Sequence, residues 1–204
     1  MIKRIHIVGR KNSGKTTLIT DLVTHLTNLG YRVGTIKHTH HQHELDTPGK
    51  DSHRHREAGA AVVGILSPTM SAVFRPVKHD DRSTDCYGRI LPMFTECDMV
   101  LVEGDSGADA PKIEVWRAAT NAELLAANDQ SITAVVSDDP VELAVPLLSR
   151  SDVAGLADCL LRLATKDVFA KPATEARQDA PRDRIQRPHF SIRHNTCTSF
   201  RRAD

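Results

Sequence analysis

Apolar residues in this chain follow two periods, and the switches between them mark the elements. Ile5-His6-Ile7-Val8 is a short β-branched run of the kind a buried parallel strand carries. Leu18, Ile19, Leu22, Val23, Leu26 and Leu29 then recur at helical spacing. They predict a helix from about Thr16 to Leu29, with Gly30 supplying a left-handed residue at its end. Residues 32–37 read as a second strand. Hydrophobic periodicity is lost from His38 to His53, and a short helix is expected over 52–60 with Ser52 as N-cap. Two apolar runs, 62–66 and 70–74, flank Ser67-Pro68-Thr69 and predict a β-hairpin. Residues 83–94 are weakly helical and interrupted by Gly88 and Pro92.

The apolar run Met99-Val100-Leu101-Val102 ends in Glu103-Gly104-Asp105, as a central buried strand does when it delivers acidic residues at its carboxyl end. Lys112-Ile113-Glu114-Val115-Trp116 alternates, as a more exposed strand would. Ile132-Thr133-Ala134-Val135-Val136 is a further buried strand. Asp152 to Thr165, with Val153, Leu156, Leu160, Leu161 and Leu163, closes the pattern as a helix capped by Asp152. Strands and helices in this order predict one α/β domain over 1–165, with a mainly parallel sheet flanked by helices and an added β-hairpin. Beyond it, Pro172, Pro181, Pro188, scattered arginines and few apolar residues predict a disordered, mildly basic tail over 166–204.

The chemistry enters at the first strand-to-helix turn. Gly9-Arg10-Lys11-Asn12-Ser13-Gly14-Lys15-Thr16 satisfies G-x-x-x-x-G-K-[ST] and sits between a strand and a helix, the context that a phosphate-binding P-loop requires. Backbone amides and the positive end of the helix face a polyphosphate there. Lys15 brings a mobile positive charge to the β- and γ-phosphates, and the Thr16 hydroxyl suits a Mg²⁺ shell. The fold class predicted is therefore a P-loop NTPase.

Composition narrows the setting. Of 204 residues, 40% are hydrophobic, enough for a packed core, and the net charge of +1 gives no global electrostatic case for nucleic acid or a membrane surface. Cys86, Cys97, Cys159 and Cys197 are dispersed and form no C-x-x-C pair, which fits thiols of a reducing compartment. The first strand begins at once, and no apolar run is long enough to span a bilayer, so a cytoplasmic protein is expected.

The histidine-rich stretch from Lys37 to His55 is the second unusual feature, and three readings of it stand side by side. Imidazoles and carboxylates on one segment suit Zn²⁺ or Ni²⁺. Asp46-Thr47-Pro48-Gly49 also fits D-x-x-G, in which an aspartate meets the Mg²⁺ shell and a glycine amide senses the γ-phosphate. The third reading is a polar surface loop.

Taken together, the P-loop, Thr35-Ile36-Lys37-His38-Thr39-His40-His41, Asp46 to Ser52, Arg56-Glu57-Ala58-Gly59-Ala60, Leu101-Val102-Glu103-Gly104 and Pro111 to Arg117 closely resemble the MobB family, the molybdopterin-guanine dinucleotide biosynthesis adapter proteins. The likeness covers roughly residues 1–165. It implies a GTP-binding protein acting beside the guanylyltransferase that joins GMP to the molybdenum-pterin cofactor, with homodimerisation expected. On that resemblance Gly9, Asn12, Ser13, Gly14, Lys15, Thr16 and Thr17 hold the phosphates. Thr16, Asp46 and Glu103 sit on the magnesium side, with Lys15, Asp46 and Glu103 as the groups of a slow GTPase. His38 and Gly49 line the site or a cofactor path, and molybdopterin is a further candidate ligand. The family commonly has an aromatic residue and a lysine after Val-Glu-Gly, where this chain has Asp105-Ser106.

Other residues remain open on the pattern. Glu103 is a Mg²⁺-water ligand or a solvated strand-end carboxylate, and Asp105 is undecided. Asp138 and Asp139 either accept the guanine N1 and N2 hydrogens or cap a turn before Pro140, since no Asn-Lys-x-Asp signature is present. Lys112 and Arg117 face an anionic ligand or solvent, and Trp116 is expected in the core or an interface. Two rival functions follow: a metal-insertion GTPase using the histidines, and an adapter switched by nucleotide without hydrolysis.

Overall fold

The computed structural model describes residues 3–77 and 86–165. The expected tail (166–204) and the start of the 83–94 segment lie outside the described residues. Six strands form one sheet in the order β2-β5-β1-β6-β7-β8, every neighbouring pair parallel. They are β1 (Arg4–Val8), β2 (Val33–Lys37), β5 (Met99–Glu103), β6 (Lys112–Val115), β7 (Ile132–Val136) and β8 (Leu147–Leu148). The predicted hairpin, β3 (Val63–Leu66) with β4 (Ser71–Phe74), forms a separate two-stranded antiparallel sheet.

Helix α1 (Lys15–Asn28) buries Leu18, Ile19, Leu22 and Leu26. Each such side chain contributes about 2 kcal/mol by leaving water. Gly30 takes the left-handed backbone expected, and Gly30 and Tyr31 return their N–H groups to Thr27 and Leu26, which closes the helix. Helix α4 (Val153–Thr165) joins α1 over one sheet face, where Leu156 and Leu160 meet Ile5, Ile7, Leu101 and Ile113. Asp152 caps it as predicted, its carboxylate accepting the Gly155 N–H at 2.9 Å. On the other face Val100 and Val102 pack against Tyr87 of α3 (Cys86–Ile90) and against Leu91 and Phe94 just after it.

Two expectations are corrected. Strand β6 is buried along its whole length because it lies in the middle of the sheet, between β1 and β7, so alternation did not mean a wet face. Its polar residues are buried and bonded: Glu114 accepts the N–H groups of Leu125 and Ala126, and the Lys112 ammonium reaches Asp129 and Ser131. Both brace the 118–131 segment. Helix α2 spans Asp51–Glu57 with Lys50 at its N-cap, so Ser52 lies inside the first turn and its hydroxyl turns back to Asp46.

Candidate functional site

Strand β1 has β5 on one side and β6 on the other, while α1 carries the chain over β5 to β2 at the sheet edge. The first strand-to-helix turn therefore opens onto the carboxyl ends of the central strands, where open α/β sheets bind ligands. Gly9 has φ +138°, and a Cβ there would collide with the Val115 carbonyl and come within 2.9 Å of Ser13 Oγ. Only glycine fits this approach. Asn12 and Gly14 also have positive φ, and Gly14 stands at the N-cap of α1 without a side-chain cap, leaving the helix N–H groups available to an anion.

Lys15 curls back over the loop, its ammonium donating to the carbonyls of Gly9 (2.9 Å) and Arg10 (2.7 Å). Burial pushes its pKa below the ordinary lysine value, with the Glu103 charge opposing and the Lys37 charge adding to the shift. Thr16 Oγ1 donates to Glu103 Oε1 at 2.9 Å, and Lys37 Nζ donates to the same oxygen at 3.1 Å. The structure thus brings together Lys15, Thr16 and Glu103. It adds Lys37, which the sequence does not mark as a site residue, because its register opposite Glu103 on the neighbouring strand is set by the sheet.

Asp46 is placed differently. Its carboxylate is buried, with one oxygen accepting the Thr47 N–H (2.8 Å) and the Ser52 hydroxyl (3.0 Å), both within its own loop. Glu44 braces the loop, accepting the Asp46 N–H at 2.9 Å and the Arg56 guanidinium at 2.6 Å. Those donors, the Asp46 N–H foremost, hold the Glu44 carboxyl below its usual pKa. Gly49 sits in the following turn at φ +79° and Thr17 in the first exposed turn of α1. The His38 N–H bonds the Glu103 carbonyl at 3.0 Å. Ser13 Oγ, His38 Nδ1 and Asp46 Oδ2, all on predicted site residues, are buried side-chain atoms with no hydrogen-bond partner among the described residues.

The histidine loop shows ring pairs, His38 with His40 at 4.9 Å and His41 with His43 at 6.0 Å. Among the described residues no three His, Cys, Asp or Glu side chains converge as a metal-holding group. Asp105, at φ +60°, accepts the Tyr87 hydroxyl at 2.7 Å, and burial raises the Tyr87 pKa. Asp138 takes the Ser149 hydroxyl and the Arg150 N–H on one oxygen, and Asp139 accepts the Ala118 N–H. Lys112 faces no ligand, since it is buried against Asp129 and Ser131; Arg117 is exposed. Trp116 is half-buried and donates its indole N–H to Ala122. No helix among the described residues is long and apolar enough to cross a membrane.

A family model described as "Molybdopterin guanine dinucleotide synthesis protein B" matches residues 4–138. The molybdopterin-guanine dinucleotide biosynthesis adapter protein of Escherichia coli (strain K12) is 38% identical over 161 residues, covering 78% of this chain and 91% of that one. Its counterpart from Haemophilus influenzae is 34% identical over 161 residues, covering 77% and 86%. Among solved structures, a crystal structure of molybdopterin-guanine biosynthesis protein B matches with a TM-score of 0.60 at 29% identity, covering 78% of this chain and 99% of that one. Matching in sequence over most of its length and in fold, the chain belongs to the MobB family.

Proposed function

We propose that the chain binds GTP with Mg²⁺ at its P-loop and serves as an adapter in molybdopterin guanine dinucleotide biosynthesis, assisting guanylyl transfer to molybdopterin. The observation that carries this reading is the convergence of Lys15, Thr16 and Glu103 at the carboxyl ends of β1 and β5, in a chain whose relatives bear that adapter name. The Thr16 hydroxyl and Glu103 carboxylate are hard oxygen donors 2.9 Å apart, the donor type Mg²⁺ prefers. The ion would supply charge neutralisation at the phosphates. Lys15 would exchange its two carbonyl partners for phosphate oxygens. Ser13 and the α1 amides would fix the phosphates, and Asp46 and Gly49 would order their loop around the terminal one. His38 lines the path to that loop, with molybdopterin as a candidate second ligand.

Hydrolysis, where it occurs, is slow, because catalysis here rests on positioning and electrostatics with no arginine finger or evident base in the sequence. The partner is the cytoplasmic guanylyltransferase. The chain acts as a homodimer, held through the exposed apolar hairpin, where Leu66 is 88% and Met70 73% exposed.

Calorimetry with Mg²⁺ tests the reading. Wild type is expected to prefer GTP over ATP, and Lys15→Ala to abolish binding; equal affinity for ATP would break the guanylyl assignment. GTP turnover is expected to rise when the guanylyltransferase is added, and rapid turnover by the protein alone would overturn the adapter role.

A further inference from the structure

Lys37 lies outside the P-loop motif. It is the last residue of β2, and the parallel register sets it opposite Glu103, the last residue of β5. Both side chains are therefore delivered to the carboxyl end of the sheet, beside the P-loop. A cavity of about 340 Å³ runs between α1 and β2, lined along its length by residues of both, Ile19, Val23 and Ile36 among them, and Thr16, Lys37 and Glu103 also line it. The Lys37 ammonium reaches in from solvent, its side chain 69% exposed, onto a Glu103 side chain that is only 15% exposed. It shares one carboxylate oxygen with the Thr16 hydroxyl, and its charge is felt by Lys15.

Lys37 pairs directly with Glu103, while the Lys15 ammonium is held on the Gly9 and Arg10 carbonyls of the adjoining loop, so the corner carries two ammonium groups and one paired carboxylate, a balance suited to an anion. An ammonium has three donors and no lone pair, so Lys37 is not a metal ligand. The ammonium end of the pair lies in solvent, so Lys37 is free to exchange Glu103 for another anion at small cost. The backbone beneath it is fixed, because the next residue, His38, donates its N–H to the Glu103 carbonyl. The side chain can change partner without moving the strand.

We infer that Lys37 is the group that distinguishes a bound nucleoside triphosphate from a diphosphate: its ammonium leaves Glu103 for the terminal phosphate and stays on Glu103 when that phosphate is absent. This rests on the nucleotide reading above and adds to it the residue that senses the terminal phosphate. It also places a positive charge in cis, where the sequence shows no evident arginine finger. Because Lys37 begins the segment that runs to Asp46, the same contact links the nucleotide state to the histidine loop.

The test is calorimetry of the full chain with Mg²⁺, comparing GDP with a non-hydrolysable GTP analogue in wild type, Lys37→Met and Lys37→Arg. Wild type is expected to favour the triphosphate. Lys37→Met should weaken triphosphate binding about tenfold, the scale of one lost charge-assisted contact, while leaving GDP within about twofold. Lys37→Arg should restore most of the preference, and retained GDP binding shows that the variants are folded. If wild type binds both nucleotides equally, or Lys37→Met weakens both alike or neither, the inference is overturned and nucleotide binding stands. If wild type binds neither, the nucleotide reading itself fails and takes this role with it.

Discussion

The P-loop corner and the arm from His38 to Val77 are built on opposite principles. At the corner, Ile5, Ile7 and Val8 are at most 1% exposed, and the loop between β1 and α1 is held against the Val115 carbonyl. In the arm, α2 buries no residue, and the hairpin presents Leu66, Met70 and Val73 to solvent, exposed by 88%, 73% and 51%. A two-stranded hairpin alone is marginal in water, and the proposed homodimer would cover these apolar residues. The corner is rigid because its own core specifies it. The arm holds its form through short polar braces, Ser52 to Asp46 and Arg56 to Glu44, and leaves its apolar hairpin surface exposed.

Glycine substitutions give the largest expected contrast. Gly9→Ala drives a Cβ into the Val115 carbonyl, a backbone atom that cannot yield, and should cost about 3 kcal/mol in denaturant unfolding along with nucleotide binding. Gly49→Ala meets nothing within 4 Å and should cost about 1 kcal/mol, the price of its left-handed backbone. Equal losses would break the comparison. Next comes the hairpin. Leu66→Ser with Met70→Ser should shift the sedimentation profile from dimer to monomer while changing the monomer's stability by no more than about 0.5 kcal/mol. A wild type that sediments as a monomer at all concentrations would remove the hairpin interface.

A smaller effect is expected from His6, buried on β1 with its Nδ1 3.2 Å from the Gly104 carbonyl. Desolvation lowers its pKa below the ordinary histidine value of about 6.5. The unfolded chain then binds the proton more readily than the folded one, so stability is full above pH 6.5 and falls as pH drops toward the folded pKa. The slope approaches about 1.4 kcal/mol per pH unit. Thermal unfolding between pH 7 and 5 should be less pH-dependent in His6→Leu; an unchanged profile would place the titration elsewhere. The most local change is Ser52→Ala. Removing one donor to the Asp46 carboxylate should cost about 1 kcal/mol and loosen the arm, measured as faster amide exchange over 46–52 with the P-loop unaffected.

How far the sequence could be read follows the same division. The P-loop, the two long helices, the Asp152 cap and the apolar strands were legible because each is a local pattern, and turn geometry and amphipathic period follow from residues close in the chain. Strand β6 was misread because alternation says only that two faces differ, and the sequence does not reveal that segment 118–131 covers the second face and satisfies Lys112 and Glu114. Ser52 was misplaced because capping by type ignores the competing pull of Asp46, six residues away.

By itself, then, the sequence determined the phosphate-binding turn and the order of elements, because short-range sterics, charge and hydrophobic period suffice for both. Only the tertiary structure decided that Lys37, Thr16 and Glu103 share one carboxylate oxygen, and that the Asp46 loop is bonded within itself. The physical reason is long-range strand order. Placing β5 between β1 and β2 brings residues 66 and 87 positions apart into hydrogen-bonding distance, and no local pattern records that neighbourhood.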